Sequence, residues 1–208
     1  MSLGARPKLT FQSAATQRDA MVLAYKLATD SLRDPAGGPL VRETAIRMVR
    51  NCKGRDDMCE IQAVFTAIRD GDRGVPGFEK GMKYMTDPEM WSADGQDVID
   101  HYTTPDRMIE ECMRGVCAED CDGMSASLPI ALLMSLGWKC AAAIFKPNGA
   151  KYFEHIYTLV GYPKLDPEKV IAFDTTVSHD MGWEATGGEH LSATFDPDLK
   201  KLISARWS

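Results

Sequence analysis

Apolar residues in the N-terminal third of the chain recur with the period of amphipathic helices. Three stretches between Thr16 and Ile68 place apolar side chains three, four and seven residues apart: Met21, Tyr25, Ala28 and Leu32; Val41, Ala45, Met48 and Val49; Ile61, Val64, Phe65 and Ile68. Segments rich in Gly, Pro and Asp separate them, at 34–39, 54–57 and 71–74. The pattern predicts three helices, so residues 1–75 form a helical N-terminal part.

The middle of the chain holds one strongly apolar segment. Residues 75–106 have no clear period and predict an extended connecting segment on the surface. Ser125–Leu136 is apolar enough for a buried helix, which Asp120 could cap at its start. Pro129 lies inside this segment and has no N–H to donate. It must therefore either kink the helix or lie within the first turn of the helix. Both arrangements remain open.

The last third of the chain favours strands. Lys139–Phe145 and Phe153–Val160 flank a Pro-Asn-Gly turn, which is typical of a β-hairpin, and Val170–Thr175 is a third candidate strand. Helices followed by consecutive antiparallel strands predict an α+β fold with the helices packed against an antiparallel sheet. We expect one domain over residues 1–208, with its core in residues 107–184.

Composition narrows the class of protein. The 208 residues are 44% hydrophobic and 26% charged, which fits one globular domain. The longest nearly unbroken apolar stretch, Leu128–Met134, is far shorter than the roughly 20 residues that span a bilayer. No apolar run follows the N-terminal charges, so we expect a cytoplasmic protein without a membrane partner. The six cysteines are too sparse for a disulfide framework, and we expect reduced thiols.

Charge and motifs exclude several partners. The net charge of −6 argues against nucleic acid as the main partner. The chain has no phosphate loop and no dinucleotide fingerprint, so we expect no cofactor. Cys112, Cys117, Cys121 and His155 could in principle bind zinc, but C-x4-C-x3-C is not the spacing of a zinc knuckle, and we expect no metal. The sequence makes no prediction of oligomeric state.

The sequence contains a cysteine, a histidine and an aspartate in positions that could serve catalysis by a thiol. The reaction needs a thiolate, an imidazole that accepts its proton, and a group that orients the imidazole. Cys121 precedes the apolar helix, whose N–H groups favour a negative sulfur. His155 lies in the second strand and Asp174 in the third, and in the right register both face the helix start. We therefore predict Cys121, His155 and Asp174 as catalytic residues.

The same regions resemble a known superfamily. Gly115–Ser125, with Leu132–Gly137 behind it, resembles the nucleophile helix of transglutaminase-like cysteine proteins. Phe153–Tyr157 and Ile171–Thr176 resemble the histidine and aspartate strands of that superfamily. The Asp-Cys-Asp sequence around Cys121, and Lys83–Pro88 upstream, are most similar to the transglutaminase-like proteins of tailed bacteriophages and prophages.

The resemblance implies a papain-like core, a nucleophile at the start of a central helix and a Cys-His-Asp triad at Cys121, His155 and Asp174. It implies acyl transfer on amide bonds of a protein or peptide, such as a phage structural protein, in the host cytoplasm or the virion. Water as acceptor makes the chain a peptidase or amidase, which we favour, and a lysine amine makes it a cross-linking transglutaminase. A non-enzymatic phage structural or assembly protein that uses the fold as a binding module stays open.

Several cysteines and histidines have alternative interpretations. Cys117 competes as nucleophile, but Cys121 adjoins the apolar helix and is preferred. The helix start and an imidazolium are expected to lower the pKa of Cys121 in spite of the neighbouring carboxylates. The backbone N–H of Cys121 is the expected first oxyanion donor. The remaining cysteines are expected to be small buried apolar residues and the remaining histidines to be solvated: Cys52, Cys59, Cys112 and Cys140; His101, His179 and His190.

Overall fold

The computed structural model describes residues 9–12, 17–54, 56–85 and 99–206, with side chains described for 19–54, 56–85 and 102–204. These residues form six α-helices, one π-helix and eight strands. In chain order the elements are β1 Leu9–Gln12, α1 Gln17–Arg33, α2 Gly37–Met48, α3 Asp57–Arg69, β2 Lys83–Tyr84, β3 Ile99–Tyr102, α4 Pro105–Met113, β4 Ala118–Glu119, the π-helix Asp122–Ser127, α5 Leu128–Ser135, β5 Cys140–Pro147, β6 His155–Tyr162, β7 Lys169–Phe173, β8 Gly188–Ala193 and α6 Pro197–Arg206.

The main sheet has four antiparallel strands in the order β7-β6-β5-β8. Leu159 pairs with Ala172 between β6 and β7, and Ala143 pairs with Tyr157 between β5 and β6. Two smaller pairs lie outside this sheet, namely antiparallel β1 and β3 and parallel β2 and β4. The protein is therefore α+β, as the sequence predicts.

The two faces of the main sheet have different neighbours. Ile156, Val160 and Phe173 point into a core shared with α1, α2, α3 and α5. In that core Phe65 of α3 meets Phe173 edge-on, with ring centroids 5.2 Å apart. The opposite face, which carries Leu159, Ala172 and other small or aromatic residues, is covered in part by α6. Burial of both faces fixes the register of the sheet.

The predicted elements appear with modest changes. The three N-terminal helices and the β5–β6 hairpin are confirmed. The segment 75–106 was expected to be extended, and its described residues contain two short strands and the start of α4, while 86–98 lie outside the described residues. Pro105 lies in the first turn of α4, where a missing N–H costs nothing. The strand β8 and helix α6 were not predicted.

Four of the six cysteines form disulfides, so the expectation of reduced thiols is wrong for them. Cys52 is bonded to Cys59 at the start of α3, and Cys112 at the end of α4 is bonded to Cys117 just before β4. Cys121 and Cys140 are the free cysteines. Disulfides are typical of oxidising compartments, so they weigh against the cytoplasmic location, which stays a prediction. No helix of the described residues is long and apolar enough to cross a membrane.

Candidate active site

The central helix begins as a π-helix because of Pro129. Pro129 follows the π-helix in the first turn of α5, and because the two helices are contiguous it lies inside one continuous helical segment and not at a free helix start. Proline has no N–H, so the carbonyl groups of Ser125 and Met124, four and five residues earlier, lack a donor from that position. Hydroxyl groups from β6 and from the segment after β7 replace it: Thr158 Oγ1 donates to Ser125 O at 2.9 Å, and Thr175 Oγ1 donates to Met124 O at 2.7 Å.

His155 and Asp174 are in direct contact. His155 is the first residue of β6, Asp174 follows the last residue of β7, and Nε2 of the imidazole lies 2.6 Å from Oδ2 of the carboxylate. The pairing of Leu159 with Ala172 puts the two side chains on one face of the sheet. The carboxylate occupies Nε2 and thereby leaves Nδ1 of His155 to act as a base.

Asp174 is buried and held by several donors. Its side chain is 7% exposed. Its Oδ1 accepts hydrogen bonds from Ser125 Oγ at 2.8 Å, from Thr176 Oγ1 at 2.7 Å and from the Thr176 N–H at 3.1 Å. Burial acts to raise the pKa of Asp174, but its hydrogen bonds to His155, Thr176 and Ser125 outweigh burial and lower it. The carboxylate is therefore ionised and can stabilise an imidazolium.

Cys121 lies directly before the π-helix, beside the strand that carries the imidazole. It is a free, partly buried cysteine, and the backbone N–H of Ile156 donates a hydrogen bond to its sulfur. The strand β7 ends at Phe173, opposite Thr158, so the backbone of Ile156 lies beyond the β6–β7 ladder. The residue after His155 thus holds the thiol. Within the described part of the chain the ring of His155 is bonded to Asp174 and not to Cys121.

The electrostatics of Cys121 contradict the expected lowered pKa. Burial, followed by the charges of Asp120, Asp122 and Asp174, raises the pKa of Cys121 to about 12, although the Ile156 N–H acts to lower it. The sulfur is desolvated and close to carboxylates, and these effects exceed the benefit of the helix start. Cys121 therefore rests as a neutral thiol and needs a base to become a nucleophile.

Three carboxylates precede and follow Cys121. Carboxylate oxygens of Glu119, Asp120 and Asp122 lie within 4.8 Å of one another. Among the described residues, this group has a spacing that could hold a cation. Asp120 Oδ1 also accepts the N–H of Asp122 at 3.1 Å, but the cap position of the π-helix is Cys121 and not Asp120 as predicted. The sulfurs of Cys112 and Cys117 are bonded to each other, which excludes a zinc site that uses both thiolates.

The same disulfide decides between the two candidate nucleophiles. Cys117, four residues before Cys121, is bonded to Cys112 and has no free thiol. The other free cysteine, Cys140, is buried in the helical core, where burial raises its pKa. Cys121 is thus the free cysteine beside the His155–Asp174 pair.

Two residues of the candidate site, Ser125 and Tyr84, are not predicted from the sequence. Ser125 lies in the motif that resembles the nucleophile helix, yet its hydrogen bond to Asp174 depends on the fold. Tyr84 of β2 pairs with Glu119 of β4, and its pKa is raised by burial and then by the charges of Cys121 and Asp120. The parallel β2–β4 pair therefore brings a phenol close to the sulfur, and no local pattern around Tyr84 indicated this.

The expectation for His190 is also corrected. His190 is not a solvated loop residue: it lies in β8, and its ring packs against Phe145 with centroids 4.7 Å apart. Its Nδ1 lies 2.9 Å from the hydroxyl of Tyr157. His179 is exposed, as expected, and stacks on Trp183.

Comparison of the chain with protein-family models, with curated proteins and with solved structures finds no match. A function for this chain therefore has to follow from the geometry of its own residues.

Proposed function

We propose that this protein catalyses acyl transfer on amide bonds as a cysteine peptidase or amidase. Cys121 is the nucleophile, His155 the general base and acid, and Asp174 the residue that orients the imidazole. The observation that carries the proposal is the partly buried 2.6 Å contact between His155 and Asp174, next to the helix that begins after Cys121. An ionised carboxylate on Nε2 fixes the tautomer that presents a basic Nδ1.

The chemical steps follow from these positions. Nδ1 of His155 takes the thiol proton of Cys121, and the thiolate attacks the amide carbonyl, so that a carbon–sulfur bond forms. The carbon–nitrogen bond then breaks, and the imidazolium donates its proton to the leaving nitrogen. Water attacks the thioester, the acid is released and the proton returns to sulfur. The backbone N–H of Cys121 is the proposed oxyanion donor.

The raised pKa of Cys121 shapes this mechanism. A thiol with a pKa of about 12 is almost fully protonated near neutral pH. Proton transfer to His155 creates an imidazolium next to Asp174, whose charge stabilises it. The proposed enzyme therefore forms its thiolate during turnover and holds no resting thiolate.

The fold supports a transglutaminase-like, papain-like arrangement as part of the proposal. The cysteine precedes a central helix, and the histidine and aspartate follow on adjacent antiparallel strands, in the chain order Cys121, His155, Asp174. Encoding by a phage or prophage, and a phage structural protein as substrate, rest on the resemblance of the motifs alone and stay predictions.

One observation favours a second candidate function, a non-enzymatic binding module. A resting thiol of raised pKa without a hydrogen bond to His155 is also what a cysteine without catalytic function would show. Such a protein would keep the fold and bind its partner without turnover.

Turnover of a mixed peptide library separates the two candidates. We expect wild-type protein to cleave amide bonds, Cys121→Ala to lose all activity, and the control Cys140→Ala, which removes the other free thiol, to retain it. Undiminished cleavage by Cys121→Ala contradicts the proposal, and a folded wild-type protein without turnover favours the binding module. Addition of a primary amine identifies the acceptor, since a cross-linking enzyme forms the new amide and a hydrolase forms the acid.

A further inference from the structure

A cavity of about 200 Å³ lies beside His155, on the sheet face that carries Leu159 and Ala172. His155 and Asp174 form one wall. Cys121 is not among the described lining residues and packs against the helical core on the other side of the sheet. His155 therefore contacts the cavity, whereas Cys121 does not line it.

The polar groups around the cavity bind one another. The hydroxyl of Tyr157 lies 2.8 Å from Oε1 of Glu184 and 2.9 Å from Nδ1 of His190. Nε2 of His190 lies 3.0 Å from the backbone oxygen of Ala185. With these atoms engaged, the surface that faces the cavity is almost entirely apolar, with aromatic walls from Phe145 and Trp183.

The walls are held in place by contacts that need no ligand. The loop between β7 and β8 is tied back to the sheet by Gly182 N–H, which donates to Ala172 O at 2.8 Å. Arg69 of α3 donates to the backbone oxygen of His179 in the same loop at 2.8 Å. His179 stacks on Trp183 with ring centroids 4.0 Å apart. A largely preformed apolar cavity is typical of a binding site.

We propose that this cavity binds an apolar side chain of the residue that supplies the leaving nitrogen. The inference rests on the function proposed above. In acyl transfer the histidine protonates the departing nitrogen, so the leaving residue lies on the imidazole side of the carbonyl, away from the attacking sulfur. A cavity that contacts His155 and Asp174 but not Cys121 has this position.

Size and chemistry select the occupant. Pockets that hold drug-sized ligands measure roughly 300–1,000 Å³, so about 200 Å³ suits a single side chain. An ammonium or carboxylate would lose its water to a cavity surface that is almost entirely apolar. Leucine or phenylalanine fits this surface, whereas lysine and aspartate do not.

Matched amide substrates that differ only in the leaving residue test the proposal. We expect kcat/KM to be about tenfold to hundredfold higher for Leu or Phe than for Gly, Lys or Asp. Ala185→Leu, which places bulk in the cavity, should remove this preference, so that the Leu and Phe substrates fall to about the rate of the Gly substrate. Leu165→Phe, an equally apolar change at a residue that is 81% exposed, is the control and should preserve it. Equal rates for all leaving residues overturn the proposal.

A binding measurement separates failure of the cavity from failure of the proposed function. Cys121→Ala protein is titrated with leucinamide, phenylalaninamide and lysinamide while the indole N–H signal of Trp183, assigned with Trp183→Phe, is followed by NMR. We expect the two apolar amides to shift this signal, lysinamide not to, and Ala185→Leu to abolish the shift. Shifts without any turnover by wild-type protein reject the enzyme but keep an apolar side-chain site. Turnover without shifts and without side-chain preference rejects the cavity and keeps the enzyme.

Discussion

The hydroxyl of Thr158 lies 2.9 Å from the backbone oxygen of Ser125, the carbonyl that Pro129 leaves without its helical donor. Thr158 is fully buried in the middle of β6, three residues after His155. The same hydroxyl lies 3.3 Å from the oxygen of Ala126, so Thr158 links the histidine strand to the helix that follows Cys121. Pro129 removes one helical donor, and the backbone carbonyl that loses this donor accepts a hydrogen bond from a strand of the sheet.

Replacement of Thr158 by valine should destabilise the protein. The shape is kept, but Ser125 O loses its buried hydrogen bond from Thr158 Oγ1, which costs about 1–3 kcal/mol of unfolding free energy. Urea denaturation measures the loss. Thr29→Val, which removes a hydroxyl bonded to Lys26 O within α1, is the control and should cost less. Because Pro129→Ala restores an N–H, Thr158→Val should cost less in that background, and strictly additive effects would show that the two residues are not linked in this way.

Asp174→Asn should lower the amidase rate by a factor of about 10³–10⁴, because the amide NH2 takes the place of Oδ2 and donates to Nε2, which leaves Nδ1 protonated and unable to act as a base. The fold should be retained, since asparagine keeps the oxygen that accepts from Ser125 and Thr176. Rates are measured beside circular dichroism spectra. A folded Asn variant with an undiminished rate removes Asp174 from the mechanism.

Asp174 should also contribute to the acid sensitivity of the fold. Its folded-state pKa lies below the ordinary 3.8, so its contribution is fully present above about pH 4 and is lost as the pH falls through the folded pKa. Unfolding free energies between pH 6 and pH 2 should fall less steeply for Asp174→Asn than for wild type. Asp198→Asn is the control, because Asp198 also has a lowered pKa but is exposed. Parallel curves for wild type and Asp174→Asn would count against a lowered pKa.

Alkylation of Cys121 should be slow at neutral pH and rise about tenfold per pH unit up to a pKa of about 12. A Cys140→Ser background leaves Cys121 as the reporter. Asp120→Asn removes a charge that raises this pKa but keeps the oxygen that accepts from Asp122 N–H, so it should speed alkylation at pH 9. Asp30→Asn, on the surface of α1, should not. A rate that levels off near pH 8 contradicts the raised pKa.

Thiol counting tests the disulfides. Unfolded, unreduced protein should expose two titratable thiols, from Cys121 and Cys140, and reduction should raise the number to six. Six thiols before reduction, in protein purified without reductant, would return all cysteines to the reduced state and restore Cys117 as a rival nucleophile.

Parts of this fold are readable from local pattern. The apolar period identifies α1 to α3, and the Pro-Asn-Gly turn identifies the β5–β6 hairpin. Side chains two residues apart in a strand lie on the same face of the sheet. Once the pairing of β6 with β7 is known, this alternation places His155 and Asp174 on one face.

Other parts depend on contacts between distant segments. The π-helix needs hydroxyl donors from Thr158 and Thr175, which no helical pattern reveals. The strand β8 reads Gly-Glu-His-Leu-Ser-Ala and is ordered by pairing with β5. The pKa of Cys121 was predicted in the wrong direction because the helix start is visible in the sequence, whereas burial of the sulfur is a property of the folded chain.

Trapping the acyl-enzyme is the most direct test of the catalytic proposal. Wild-type protein is mixed with a library of peptide thioesters, quenched in acid and mapped by mass spectrometry. We predict a hydroxylamine-sensitive acyl adduct on Cys121 that persists in Cys140→Ala, is absent from Cys121→Ala and forms far more slowly in His155→Ala. An adduct that forms on another residue, or forms on Cys121 at the same rate without His155, would contradict nucleophilic catalysis by this Cys-His-Asp arrangement.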